Sequence, residues 1–376
     1  MQKMIQFLKD EVVLTVAIVL AAISAFIITP DAQYISYIDF RTLAILFCLM
    51  AVMVGLQDVG VFKKVANALL AKVHTVTGVV FILVLLCFFS SMLITNDVAL
   101  ITFVPFTFIV LGFLGEEKRK ALVIPVVVLQ TIAANLGSML TPIGNPQNLY
   151  LYGKSGMGFG EFILLMLPYT AASLVMICIM TLWVGKKNEG TMENSLQEMP
   201  SLKEKGSAIA RYILLFAFAI ATVIHLIPYP ITLLITLVVF FIFDRPLLKK
   251  VDYALLVTFV GFFVFIGNMG RIPAFYNMLQ SVVEGNEILV SVIASQAISN
   301  VPAALLLSAF TTNIKGLIIG TNLGGLGTLI ASMASLISYK YIAKENACNK
   351  GHYFAAFTIA NILLLILLLL FTYTLN

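Results

Sequence analysis

Two stretches decide the reading: Ala134-Asn135-Leu136-Gly137-Ser138-Met139-Leu140-Thr141 and Thr321-Asn322-Leu323-Gly324-Gly325-Leu326-Gly327-Thr328. Each lies inside an apolar run and interrupts it with Asn and Gly. Upstream of each lies a shorter polar element, Thr95-Asn96-Asp97 and Ser299-Asn300-Val301. The order is the same in both halves of the chain. Polar, glycine-rich breaks duplicated within hydrophobic segments mark secondary transporters built from internal repeats. Irregular backbone at membrane depth survives only where it is buried in protein or lines a cavity. The breaks are therefore the expected seat of ions and substrate.

The surrounding composition agrees. The chain has 376 residues, 61% hydrophobic and 11% charged, against roughly 25% charged in soluble domains. An all-α polytopic membrane protein follows, with no soluble domain able to stand alone. Cys48, Cys87, Cys178 and Cys348 are scattered through the sequence and read as free thiols rather than a disulfide framework. His74, His225 and His352 lack metal-ligand spacing. The run 12–29 follows Lys3 and Lys9 without a small-residue cleavage site, so an uncleaved first helix is expected.

Hydropathy predicts nine spans, near 12–29, 42–57, 121–152, 161–184, 212–227, 231–244, 253–270, 316–339 and 353–374. Two further elements, near 79–113 and 287–313, turn back at the polar triplets. Their arms of about fifteen residues make roughly 22 Å of helix, short of a roughly 30 Å hydrocarbon core. They are expected to be re-entrant hairpins. With the N-terminus in the cytoplasm, all 23 Lys and Arg except Arg41, Lys154, Arg271 and Lys315 fall inside, as the positive-inside rule asks. The C-terminus is then external. The chain divides into an N-terminal half 1–184, a cytoplasmic linker 185–211 and a C-terminal half 212–376. The two repeats, about 42–184 and 253–376, are expected in inverted orientation. The net charge of +5 needs no nucleic-acid partner; the expected partners are a lipid bilayer and a small anion.

Ser91 and Thr95 are four apart, as are Ser295 and Ser299, which places each pair on one face of a continuous helix. With Asn96 and Asn300 they offer hard oxygen ligands for a cation. The plain alternative, hydroxyls bonded to the preceding turn, is weakened by the duplication. Pro142 and Pro146 break the helix after Gly137. The clustering of Asn145, Gln147 and Asn148 after that break argues for more than a packing kink. In the second unit Gly324, Gly325 and Gly327 precede Thr328, Ser332 and Ser335. Asp97 is a carboxylate at membrane depth, which costs roughly 2.5–3.5 kcal/mol on insertion scales. It is either functional or a cap for the second hairpin arm, and both roles are compatible. Gly153-Lys154-Ser155 is no phosphate loop, because position 148 is Asn rather than Gly.

On these residues the chain resembles the ion transporter superfamily, nearest the divalent anion/sodium symporters of citrate and succinate type. Symporters of that type carry a Ser-Asn-Thr triplet at each hairpin tip and a Thr-Pro-containing break, matched here by the two triplets and by Thr141-Pro142-Ile143-Gly144-Asn145-Pro146-Gln147-Asn148. The resemblance implies one sodium site at Ser91, Thr95, Asn96 and Gly137, and a second at Ser295, Ser299, Asn300 and Gly324. It implies substrate contacts from Asn96, Thr141, Asn300 and Thr328; Asp97 and Asn145, read from their own places at the tip and after the break, are expected to join them as substrate-binding residues. It also implies a homodimer with an elevator-like moving domain, Na+ or H+ as coupling ion, and no organic cofactor. The third triplet position departs from the pattern: Asp97 and Val301 stand where the symporters carry Thr. The Asn-Asp pair is similar to the arsenite-efflux relatives. A Na+/H+ antiporter or arsenite-type permease using Asp97 is the alternative reading. No His lies near the tips and no Ser-Lys pair lies at depth, so an enzyme is not expected.

Overall fold

The computed structural model describes residues 11–188, 206–345 and 350–375; Lys3, Lys9, Cys348 and most of the 185–211 linker lie outside them. All regular elements among the described residues are helices. The first, α1 (Val12–Ile27), is followed by the short α2 (Gln33–Tyr37). The chain then runs α3 (Phe40–Asp58), α4 (Val61–Leu70), α5 (Val76–Ser91), α6 (Asn96–Gly112), α7 (Glu116–Gly137), α8 (Pro146–Ser155) and α9 (Phe159–Lys187). After α10 (Gly206–Val223) and α11 (Tyr229–Phe243) the same succession returns. It comprises α12 (Tyr253–Gly270), α13 (Pro273–Val283), α14 (Glu287–Ile298), α15 (Asn300–Leu307), α16 (Ile314–Leu323), α17 (Met333–Glu345) and α18 (Lys350–Leu375).

Among the described residues six helices are long and apolar enough to cross a membrane: α3, α7 with its terminal turn, α9, α10, α12 and α18. The helices at two further expected spans, α1 and α11, have 16 and 15 residues. The hairpin arms α5 and α6 have 16 and 17 residues, about 24–26 Å of helix. The second hairpin is shorter still, with 12 residues in α14 and eight in α15. Each run predicted as one broken span is two helices separated by irregular chain, α7 and α8 in one half and α16 and α17 in the other.

The hydropathy reading misses α4 and α13. Both are amphipathic, and each links a long helix to a hairpin. In α4, Ala66 and Leu70 are buried while Lys63 and Lys64 face outward. A window long enough to find a span averages such a helix away. Helices α9 and α10 also run into the predicted linker, covering 185–187 and 206–211.

Ion pairs tie together residues that the charge count places on one side. Lys250 meets Asp58 at 2.7 Å and Arg211 meets Asp244 at 2.5 Å, all four expected inside. Arg271 meets Asp31 at 2.8 Å and Lys315 meets Glu161 at 2.7 Å, all four expected outside. Arg41 donates to the carbonyls of Thr222 and Val223 at 3.3 Å, also on the expected outer side. Between these two ends α7 is the most enclosed long helix, with Gln130, Thr131 and Asn135 all buried. Thr107 donates to Gln130 Oε1 at 3.1 Å, and Gln130 donates to the Leu83 carbonyl at 3.1 Å. These bonds clamp the first hairpin onto α7, as polar groups in a bundle interior must be paired.

Candidate functional site

The two hairpin tips meet the two helix breaks, and the contacts repeat from one unit to the other. At the first tip the Asn96 backbone N–H donates to the Gly144 carbonyl at 3.2 Å; at the second the Asn300 N–H donates to the Ala331 carbonyl at 3.0 Å. Gly144 and Ala331 each follow a Thr by three residues, Thr141 and Thr328. A Cβ on Gly137 would strike the Phe88 carbonyl and come within 2.7 Å of Ser91 Oγ. A Cβ on Gly324 would come within 2.7 Å of Ser295 Oγ. The glycines allow the broken helix to touch the hairpin arm almost backbone to backbone.

The breaks are joined by asparagines acting across the units. Asn135 Oδ1 accepts from Asn96 Nδ2 and from Ser332 Oγ, both at 3.0 Å. Asn135 Nδ2 reaches Ser335 Oγ and the Gly325 carbonyl, both at 3.4 Å. In the other direction Asn322 Nδ2 donates to Asn148 Oδ1 at 2.7 Å, and Asn322 Oδ1 accepts from Asn145 Nδ2 at 3.4 Å. Asn135 and Asn322 are equivalent positions of the two units. So are Asn145 and Ser332, and Asn148 and Ser335, all at one offset in the chain. Each asparagine therefore grips the same two positions of the opposite unit, the exchange pattern of a two-fold contact.

This network fixes the amide orientations. Asn322 Nδ2 also donates to the Ile318 carbonyl at 2.7 Å, so its Oδ1 must be the acceptor. Asn145 must then present Nδ2 to Asn322, which turns its own Oδ1 away. That oxygen is buried without a partner, and so is Asp97 Oδ1. Asn145 and Asp97 line one cavity of about 390 Å³ together with Thr95. Asp58, Lys250 and Asp252, at the expected cytoplasmic end, line the same cavity. The cavity also contains Pro146, the first residue of α8, so that helix starts at the cavity wall. A helix start carries orphan N–H groups and a partial positive charge.

The sequence-derived residues divide accordingly. Thr95, Asp97 and Asn145 line the cavity. Asn96 is buried, with its amide committed to Asn135 and to the Asp97 N–H. Thr141 donates to the Met92 carbonyl at 2.5 Å and accepts from the Gly144 N–H at 3.1 Å; it braces the tip and does not line the cavity. Asn300 and Thr328 belong to the second tip and break, outside that cavity. The helical-face argument for the hydroxyl pairs fails at both tips. Helix α5 stops at Ser91, so Thr95 lies beyond a turn. Ser299 leaves α14 with φ 73°, a left-handed conformation that is uncommon for a side-chain-bearing residue. Backbone geometry at the tips, rather than a shared helical face, sets where these oxygens point. Asp97 makes no side-chain cap bond; the cap position of α6 is Thr95.

Gln296, on α14, escaped the sequence reading. Its Nε2 donates to the Gly324 and Leu326 carbonyls, both at 3.0 Å, and its Oε1 accepts from the Thr328 N–H at 2.9 Å. It completes the second break with a side chain where the first break uses Asn148, which donates to the Thr141 carbonyl at 3.2 Å. The available signal was a lone amide inside an apolar arm, next to Ser295.

Helices of membrane-spanning length, two hairpins whose tips meet two polar helix breaks, and a cavity lined by the first tip and first break fit a multi-pass membrane transporter rather than an enzyme. The chain belongs to the CitMHS family, described as citrate transporter, whose model matches residues 4–315. It is 33% identical over 313 residues to an uncharacterized transporter of Methanocaldococcus jannaschii, covering 81% of each chain. It is 29% identical over 323 residues to the inner membrane protein YbiR of Escherichia coli, covering 85% of this chain and 84% of that one. It is 27% identical over 354 residues to the silicon efflux transporter LSI3 of Oryza sativa, covering 75% and 72%.

Proposed function

We propose that the chain is a secondary active transporter that moves a small anion coupled to Na+ or H+. The observation that carries the reading is the pair of buried, unpartnered acceptor oxygens, Asp97 Oδ1 and Asn145 Oδ1, on two residues that line one cavity beside the start of α8. Two acceptors without a donor call for a cation or a proton. The α8 N-terminus offers an anion the opposite complement. A cation at Asp97 removes the repulsion that an ionised carboxylate would exert on a carboxylate substrate. Binding of the anion is thereby tied to prior binding of the cation. The implied sodium sites place a hydroxyl against a glycine backbone in each unit, Ser91 with Gly137 and Ser295 with Gly324. Both hydroxyls donate to the preceding turn, to the Phe88 and Ser291 carbonyls at 2.9 and 2.7 Å, as the plain alternative expects, so only their lone pairs are left for a cation.

A citrate-like or dicarboxylate cargo rests on the family description and on the resemblance. The reciprocal asparagine contacts favour repeats related by a two-fold axis. The ion pairs agree with the grouping of sides in the charge count, and that count puts the N-terminus in the cytoplasm and the C-terminus outside, with the chain dividing at the 185–211 linker. An elevator movement of a homodimer completes the reading. A second reading is supported by the excess of acid in the cavity, where Asp58, Asp97 and Asp252 stand against Lys250 alone. Such a cavity suits a proton-coupled antiporter or efflux permease using Asp97, and the rice relative's name describes silicon efflux.

Melting of the purified protein in choline chloride, with and without sodium, against citrate, succinate, sulfate and arsenite separates these readings. A ligand present at a hundred times its Kd stabilises the folded state by about 2.7 kcal/mol. Stabilisation by one anion only when sodium or low pH is supplied supports the symporter, and Asp97→Asn should uncouple the two ligands. Indifference to every anion, with sodium stabilisation lost in Asp97→Asn, refutes it.

A further inference from the structure

Away from the breaks, the outer faces of α7, α9 and α18 enclose two adjoining hollows. One, of about 590 Å³, is lined by Lys120, Lys187 and His352. No carboxylate stands among the described residues that line it. The other, of about 360 Å³, is lined entirely by apolar side chains, among them Leu129, Ile179 and Ala360. The hollows share Pro125, Trp183, Val184 and Ala356, so they form one groove with a basic end and an oily end. Trp183 is 67% exposed at their junction, and the Lys187 ammonium lies 5.6 Å from its ring centroid. An indole at such a boundary is the usual marker of the headgroup level. Pro125 has no N–H, which leaves the Ala121 carbonyl of the same basic hollow without its helical donor. The basic hollow thus has cations for a phosphate and a carbonyl acceptor for a hydroxyl. Lys120 has one carboxylate neighbour, Glu116 at 3.6 Å, with both side chains more than 60% exposed; such a pair competes weakly.

We propose that this groove binds one anionic membrane phospholipid, with the headgroup between Lys120 and Lys187 and an acyl chain along Leu129, Ile179 and Ala360. Charge complementarity selects the lipid class, and the continuous apolar trough selects a lipid over a free phosphate. The basic end is on the side assigned to the cytoplasm, where basic clusters beside membrane helices recognise acidic lipids. The lipid would lie against the outside of α7, the helix whose far end is Gly137.

Native mass spectrometry of the detergent-purified full chain, titrated with phosphatidylglycerol or phosphatidylcholine of matched chains, tests the assignment. Phosphatidylglycerol should be retained roughly thirtyfold more tightly, the effect of two lysines near an anionic group. Lys120→Gln with Lys187→Gln should bring it to the phosphatidylcholine level without changing the melting temperature. Glycerol phosphate, which has no tails, should not displace the lipid at equal concentration. Ala360→Phe should weaken both lipids while sparing the preference between them. Equal retention of the two lipids by the wild-type chain overturns the proposal, as does a preference that survives the double substitution. Loss of a dimer mass in the double variant also overturns it and assigns the face to a second copy of the chain.

Discussion

Asn135→Ala is the sharpest probe of the joint between the two breaks. The substitution removes two hydrogen bonds at 3.0 Å, from Asn96 and Ser332, and two weaker ones at 3.4 Å. The former partners remain in a site where Asn135 is 4% exposed and Ser332 1% exposed, so water replaces little. Two good bonds at about 1 kcal/mol each, with the weaker pair and the small void added, give a loss of about 2–4 kcal/mol. At about 2 °C per kcal/mol for a chain of this size, melting should fall by about 4–8 °C. The buried free thiols Cys48 and Cys87 allow a thiol-reactive dye to report the transition. A double-mutant cycle with Ser332→Ala should show a coupling of about 0.5–1 kcal/mol. Asn322→Ala should cost a similar amount, because it holds the equivalent positions. Melting of Asn135→Ala within a degree of wild type, or strict additivity with Ser332→Ala, refutes the reasoning.

Gly137→Ala should destabilise by about 1–3 kcal/mol through overpacking, since its Cβ meets the Phe88 backbone; Gly158→Ala, which meets nothing within 4 Å, should be near neutral in the same melting assay. Gln296→Leu should cost about 2 kcal/mol, because it strands the Thr328 N–H and two carbonyls; unfolding in a denaturing detergent measures it. Burial, then the Arg41 guanidinium, hold His225 below its ordinary value of 6.5. The unfolded chain therefore takes up this proton first as pH falls. The stability His225 contributes is present above that ordinary value and is lost as pH drops toward the depressed one. Melting from pH 8 to pH 5 should show this acid-side loss reduced in His225→Gln.

The breaks at Gly137 and Gly324 and the tips at Asn96 and Asn300 were legible, because Gly, Pro and Asn inside apolar runs have few other uses. The span at 253–270 was legible to the residue. What escaped depends on three-dimensional approach. Helices α4 and α13 are too short and too amphipathic for a hydropathy window. The reciprocal grip of Asn135 and Asn322 joins positions far apart in the chain, and both of its partner positions are Asn in one unit and Ser in the other. Tip geometry undid the four-residue spacing argument, because Thr95 and Ser299 stand beyond their helices. The cavity is asymmetric where the sequence repeat predicts symmetry: it takes Asp97 and Asn145 from the first unit and leaves Asn300 and Thr328 elsewhere.

The crossed asparagines also impose an order on synthesis. Asn135, Asn145 and Asn148 enter the bilayer well before Asn322, Ser332 and Ser335 exist. At translation rates of roughly 5–20 residues per second, the interval is on the order of ten to forty seconds. Throughout it the first break holds amides whose partners have not been made, in a medium that offers no substitute. The N-terminal half is thus a waiting intermediate that depends on the insertion machinery, on water at its open break, or on a quality-control factor for shelter. A chain stopped after residue 188 should be degraded in the membrane, and supplying residues 206–376 as a separate polypeptide should rescue it.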